Sequence, residues 1–475
     1  MTPKLSSSGL SRAVPMLAAL LLAACATTAS PPNAPANSPT PASASVSKAA
    51  PASAAAPAPA PVATTPSRPA DEALRARVQA ELPAYLETLK TLVGMESGSR
   101  DLEGLAKLTD HVTARLRSAG MQVQVKPTRA PDFHPQLKGA PLGPMVYATR
   151  SGSGSKKVLL IAHMDTVYAK GMIAKQPFRI DGDRAYGLGI ADDKQGVALI
   201  LHVVDLLART GFAGYAELGV LINGDEEIGS PGSGAFLTQL GSEYDAVLSF
   251  EGGGPAATPG GDMVRLATSS IAIVEMKVTG KASHAGSSPH LGRNALYELA
   301  HQMLKSRQFG DPDKGLQINW TVANAGASRN VIPAEATAIA DVRSLTNQDL
   351  DLMEAALKKS IEEKLIPDTK IELSFYRSRP AFVSNAASRA LAQHAVMVAG
   401  EVKLPLSIRD RATGGGTDAA FAGLRPKGGV LESFGLRGAG AHSNDDEYVL
   451  VSNVVPRLYL ATRMVMDVGR GEVKW

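Results

Sequence analysis

Val158-Leu-Leu-Ile-Ala162 runs straight into His163-Met-Asp165, and that junction decides the fold. An unbroken apolar run of this length, bounded by polar turn residues, reads as a strand buried on both faces, the kind found in parallel sheets. The pattern recurs. Leu218-Gly-Val-Leu-Ile222 leads to Glu226 and Glu227, and Ala246-Val-Leu-Ser-Phe250 leads to Glu251. Open α/β sheets build their sites at the carboxyl ends of such strands. Asp192 and Asp193 open a helical pattern whose apolar face is Val197, Ile200, Leu201, Val204 and Leu207, closed by Gly211. His442 lies in a late loop. Acids and imidazoles gathered along one sheet edge point to a hydrolytic metal centre.

Outward from this core, Glu72 to Gly94 and Asp101 to Ala119 carry helical periodicity, with Gly120 as a stop, and strands are expected near 122–126 and 145–148. Alternating strand and helix is the pattern of a doubly wound sheet. It breaks after Gly260. Ser269–Thr279 reads as strand, Leu291–Ser306 as helix, Leu316–Ala325 and Glu335–Val342 as strands, Gln348–Glu363 as helix and Lys370–Arg377 as strand. This β-α-β-β-α-β order is the split βαβ (ferredoxin-like) unit. The expected organisation is a catalytic domain in two parts, 71–264 and 379–475, with an inserted domain at 265–378.

The first 24 residues read as a secretory signal, with Lys4 and Arg12 before an apolar stretch too short to span a bilayer. Its end, Leu22-Ala23-Ala24-Cys25, resembles the lipobox of bacterial lipoproteins, which implies a lipid anchor on Cys25 and, with Ala26 following, an outer-membrane position facing the periplasm. Ordinary cleavage leaving a free thiol is the alternative. Cys25 is the only cysteine, so no intrachain disulfide supports the fold. Residues 25–70 form a Pro/Ala-rich tether that cannot bury a core. Formal charge is only +4 and the basic residues are scattered, so the chain has no nucleic-acid footprint.

The donor set suits zinc, which takes imidazole nitrogen and carboxylate oxygen and keeps a position open for water in catalytic sites. His163, Asp192, Glu227, Glu251 and His442 are too many for one tetrahedral ion but fit two Zn²⁺ if one carboxylate bridges. Two dications, three carboxylates and one hydroxide sum to zero charge, which lowers the cost of burial. Taken singly, each residue reads equally well as a solvated strand end, a helix cap or an exposed turn.

Taken in order, His163-Met-Asp165-Thr-Val, Gly189-Ile-Ala-Asp192-Asp193-Lys194, Gly224-Asp-Glu226-Glu227-Ile-Gly, Glu251, Lys281-Ala-Ser-His284-Ala-Gly and Gly440-Ala-His442-Ser resemble the motifs of the co-catalytic zinc exopeptidases. That family includes glutamate carboxypeptidase, aminoacylase and succinyl-diaminopimelate desuccinylase. The likeness spans roughly residues 80 to 470 and is greatest to the folate-cleaving glutamate carboxypeptidases. It implies that His163 and Glu251 hold one zinc, Glu227 and His442 the other, and that Asp192 bridges them. Asp165 would orient His163. Glu226 would be the general base for a metal-bridging hydroxide and then protonate the leaving amine. His284 would stabilise the oxyanion, in several relatives from the partner subunit, so a homodimer is expected. Arg343, Arg379 and Asn330 match substrate-binding positions, and Gly414, Gly415 and Gly416 a substrate-lining loop. These glycines lack the Lys-Ser/Thr of a phosphate-binding loop. Ala412 separates Arg411 from them, a departure that leaves Arg411 without a role. The resemblance also implies a cis peptide after Asp192.

The substrate implied is a small peptide or N-acyl amino acid, cleaved at a C-terminal amide to release glutamate or a similar residue. Aminoacylase-type amidohydrolysis is the alternative, and a non-catalytic zinc-binding lipoprotein a third. His111, His134, His202, His301 and His394 fall outside the motifs and read as structural.

Overall fold

The computed structural model describes residues 68–475 apart from 259 and 444. The signal, Cys25 and nearly all of the tether lie outside the described residues. Among the described residues the first anchoring contacts are those of Arg68, which composition places in the tether. It donates to Glu401 Oε1 at 2.7 Å and Asp467 Oδ2 at 2.8 Å, two acids whose side chains are buried.

Helices Glu72–Val93 and Leu102–Ser118 are capped by Asp71 and Asp101, whose side chains accept from Leu74 and Gly104 N–H groups. Gly120 ends the second with a φ of 80°, a conformation that favours glycine. The main sheet has six strands in the order Gln122–Arg129, Pro141–Ser151, Glu217–Gly224, Lys157–His163, Ala246–Ser249, Gly429–Leu431. The last four run parallel, and Pro141–Ser151 is antiparallel to both of its neighbours. The central strands are buried almost throughout, as their unbroken apolar runs require. Helices Glu72–Val93, Leu102–Ser118, Gln195–Arg209 and Val454–Arg470 cover one face around a large core. Helices Gly234–Gly241 and Ala419–Ala422 close the other over a smaller one.

A second, antiparallel sheet has the order Gln317–Ala325, Glu335–Ser344, Ser270–Thr279, Lys370–Arg379. Helices Ala295–Ser306 and Asn347–Ser360 pack against it. Ser270–Thr279 alternates buried and part-buried residues, as a one-sided sheet demands. Chain order and strand order are those of the split βαβ unit read from the sequence.

Two features differ from expectation. Helix Gln195–Arg209 begins after Asp192 and Asp193, which lie in a tight segment with non-helical backbone angles and cap nothing. The peptide between them is cis. A small sheet of Arg179–Asp181, Arg184–Tyr186, Tyr448–Leu450 and Gly438–Ala439 was not foreseen, because strands of two or three residues show no period.

Candidate metal centre

Three parallel strands end side by side and deliver the first donors. His163 terminates its strand opposite Asn223, while Ile161 pairs with Ser249. Glu226, Glu227 and Glu251 follow within a few residues of those strand ends. Asp192 comes from the turn before helix Gln195–Arg209, and His442 from the loop between Gly438–Ala439 and Tyr448–Leu450.

The donors form two groups. Ligand atoms of His163, Asp193 and Glu251 lie within 4.8 Å of one another, and so do those of Asp192, Glu227 and His442. Asp192 links the groups, with Oδ1 2.9 Å from His163 Nε2 and Oδ2 3.3 Å from His442 Nε2. His442 Nε2 is also 3.2 Å from Glu227 Oε2. All five residues expected as ligands therefore converge. Asp193, which sequence reasoning left as a helix cap, joins the first group. Its Oδ2 and Glu227 Oε1 are buried with no hydrogen-bond partner. Helix Gln195–Arg209 can approach this point because residue 196 is glycine; a Cβ there would stand 2.4 Å from Asp193 Oδ1.

So many buried acids cannot all be ionised without cations nearby. Burial pushes Glu226 up to about 8 despite Arg379, and pushes Glu251, Asp193 and Glu227 upward as well. Burial opposes charge on His163, yet Glu226 and Glu251 carry it well above the usual range. Hydrogen bonds to Asp192 and Glu227 push His442 up to about 10. Asp192 alone goes down, because bonds from His163 and His442 outweigh its burial. Orphaned carboxylate oxygens, two imidazoles and this excess of acid fit divalent metal binding.

Asp165 braces the centre from behind. It accepts the Glu226 and Glu227 N–H groups at 3.0 and 3.1 Å and the Ser99 hydroxyl at 2.8 Å, and lies 3.3 Å from His163 Nδ1. Glu447, which the sequence did not reveal, does the same for the Asp192 turn. Its carboxylate accepts N–H groups of Gly189, Ala191 and Asp192 at 2.8, 2.8 and 3.1 Å, and the Tyr168 hydroxyl at 2.5 Å. Burial pushes it up to about 7. Tyr168 Oη also reaches the Ser443 carbonyl at 2.8 Å, tying the His442 loop to the same acid.

A cavity of about 600 Å³ opens over the donors, lined also by Arg343, Arg379, Gly415 and Gly416. Arg379 is not poised for a substrate carboxylate. It is 3% exposed and grips the Glu226 carboxylate and, at 2.6 Å, the Glu226 carbonyl. A guanidinium this buried needs an anion, and Glu226 supplies it. Arg343 donates to Asp341 and, at 3.1 Å, to the Gly414 carbonyl. His284 and Asn330 do not line the cavity. They sit on the Ser283–His284 and Val331–Ile332 ribbon, where Ala285 N–H donates to Asn330 O and Gly280 N–H to Ala334 O, which holds the ribbon to its own sheet.

A mixed sheet with paired acid and imidazole donors on its carboxyl edge, capped by a split βαβ unit, defines a metal-dependent peptidase. Residues 159–467 match the profile of "Peptidase family M20/M25/M40", and the chain belongs to that family. It is 42% identical to carboxypeptidase G2 of Pseudomonas sp. (strain RS-16) over 402 residues, 85% of this chain and 93% of that one. It is 29% identical to the succinyl-diaminopimelate desuccinylase of Gluconobacter oxydans (strain 621H) over 340 residues, 67% of this chain and 83% of that one. Among solved structures, an M20 family metallo-carboxypeptidase from Sulfolobus solfataricus superposes with a TM-score of 0.64 at 16% identity, covering 81% of this chain and 99% of that one. The protein is an enzyme, a hydrolase of the metallopeptidase class.

Proposed function

We propose that the protein is a dizinc carboxypeptidase that hydrolyses a C-terminal amide and releases glutamate or a similar amino acid. The observation that carries this reading is Asp192, with one carboxylate oxygen turned to each of two donor groups. His163, Asp193 and Glu251 would hold one ion, Glu227 and His442 the other, and Asp192 both. Bound there, the ions would acidify a water to near neutrality and polarise the amide carbonyl. The remaining work falls to side chains. Arg379 holds Glu226 Oε1, which leaves Oε2 facing the donors, 4.0 Å from His163 Nε2, to take the water's proton and return it to the leaving nitrogen. Asp165 keeps His163 in the tautomer that presents Nε2, and fixes the backbone of Glu226 and Glu227. Arg343 and the Gly415-Gly416 backbone form the wall that meets the substrate's terminal carboxylate.

His284 and Asn330 complete the cavity of a second copy in this reading, which makes the homodimer the working unit. A lipid anchor at Cys25 would hold it at a membrane. The test combines metal analysis of the full chain with a panel of N-acyl amino acids and C-terminally varied dipeptides. Two zinc ions per chain and turnover of N-acylglutamates are expected. Turnover of other N-acyl amino acids with none of the glutamyl ones would establish an aminoacylase instead, and metal binding without hydrolysis a binding protein.

A further inference from the structure

Three arginines hang on one short loop. Arg265 donates through Nη1 to Thr413 Oγ1 at 2.9 Å, Arg343 through Nη1 to the Gly414 carbonyl at 3.1 Å, and Arg379 through Nη1 to the Gly416 carbonyl. All three line the cavity over the donors. Their charges are not equally answered. Glu226 matches Arg379 and Asp341 matches Arg343, but among the described residues no carboxylate oxygen lies within 4.0 Å of the Arg265 guanidinium.

The acid opposite Arg265 does not cancel it. Arg265 N–H donates to the Glu432 carbonyl at 2.9 Å and Glu432 N–H returns the bond at 3.2 Å, so the two side chains leave the same face of an antiparallel bridge. Yet Glu432 is fully buried, and neither of its carboxyl oxygens comes within 4.0 Å of the Arg265 guanidinium. Arg100, a fourth cation at the cavity, is exposed where the cavity meets a groove lined by Tyr168 and Lys170, and solvent screens it. Arg265 is half-buried, so its charge is felt. Thr413 and Gly414 are chain neighbours with Cα atoms about 3.8 Å apart. The two guanidinium groups are therefore anchored on adjacent residues of one loop and line the same cavity, where two carboxylates of one short molecule would meet one each.

We propose that Arg265 selects the departing amino acid by receiving a side-chain carboxylate, so that the preferred leaving group is a dicarboxylic amino acid bound at both acids. The planar fork of a guanidinium suits that bidentate contact. The inference rests on the carboxypeptidase reading and adds the residue that sets its preference.

The test is calorimetric binding of L-glutamate and L-glutamine to the metal-loaded full chain, alongside kcat/KM for the matching N-benzoyl amides. A charge-assisted bidentate contact should favour glutamate about 30-fold over glutamine. Arg265→Gln should cut that ratio at least tenfold. Arg265→Lys, which keeps the charge without the fork and so disturbs the strand least, should cut it about threefold. Equal binding of both ligands by the wild type, a ratio within twofold of wild type in both variants, or its loss in Arg343→Gln instead would overturn the proposal. Binding needs no turnover, which separates the two ideas. Selective binding through Arg265 with no hydrolysis sinks only the carboxypeptidase reading, and hydrolysis that ignores the side chain sinks only this one.

Discussion

Glu226→Gln separates holding metal from using it. Glutamine keeps the volume and offers an amide oxygen to Arg379, so the contact that orients the side chain has a substitute. Glu226 belongs to neither donor group, and its free Oε2 is 4.0 Å from His163 Nε2, beyond any bond. Metal content should therefore stay at the wild-type value. The amide cannot take a proton from water. A positioned general base contributes roughly 10²- to 10⁴-fold to rate, about 3–5 kcal/mol of barrier at 1.36 kcal/mol per tenfold. Saturation kinetics on an N-acylglutamate should show that loss in kcat with KM nearly unchanged, while mass spectrometry of the acid-digested protein counts the metal. A variant within tenfold of wild type would remove Glu226 as the base. A variant that lost metal in proportion to activity would make it a ligand.

Glu447→Gln turns one carboxylate oxygen into an NH₂ facing backbone N–H groups, and should weaken metal retention roughly 10- to 100-fold, as expected for a residue that orients a ligand; unchanged metal content after dialysis against a chelator series would refute it. Arg457→Met removes a fully buried guanidinium that donates to Asp262 Oδ1 at 2.9 Å and to the carbonyls of Ser433, Gly253 and Met263, so urea unfolding should show a loss of about 3–5 kcal/mol, and under 1 kcal/mol would show the network to be dispensable. In metal-stripped protein, burial pushes Glu432 and Glu447 up to about 7 and Glu226 up to about 8, so the folded state binds more protons than the unfolded state between about pH 4.5 and 8 and stability falls as pH rises through that window. The raised His442 acts in the same direction, its contribution being complete below about 6.5 and lost as pH climbs through about 10. Melting temperature should thus be lower at pH 9 than at pH 6, and the opposite order would refute the assignment.

The parts legible in the sequence were those with a repeating physical cause. Val158–Ala162 had to be a central strand because only burial on both faces accommodates such a run, and Gly120 had to end a helix because the chain turns left-handed there. The inserted sheet was readable from the β-α-β-β-α-β order of its elements. Convergence of His163, Asp192, Glu227, Glu251 and His442 followed from strand ends and motif order together. What escaped were contacts without a local signal. Arg379 and Glu226 are 153 residues apart, and nothing near either one names the other. Glu447 is bound by backbone N–H groups, which every residue but proline possesses. Asp193 looked like a helix cap because the helix pattern begins beside it, whereas the backbone there is not helical. Arg68 was hidden in a biased composition that gives no warning of one anchoring side chain.

The donors are strung from residue 163 to residue 442, and the helix that follows, Val454–Arg470, packs against Glu72–Val93 at the other end of the domain. Contacts so distant along the chain form late, since each must first close a long loop. Hydrolytic power therefore depends on segments far apart along the chain docking with one another, and arrives in one step when they do.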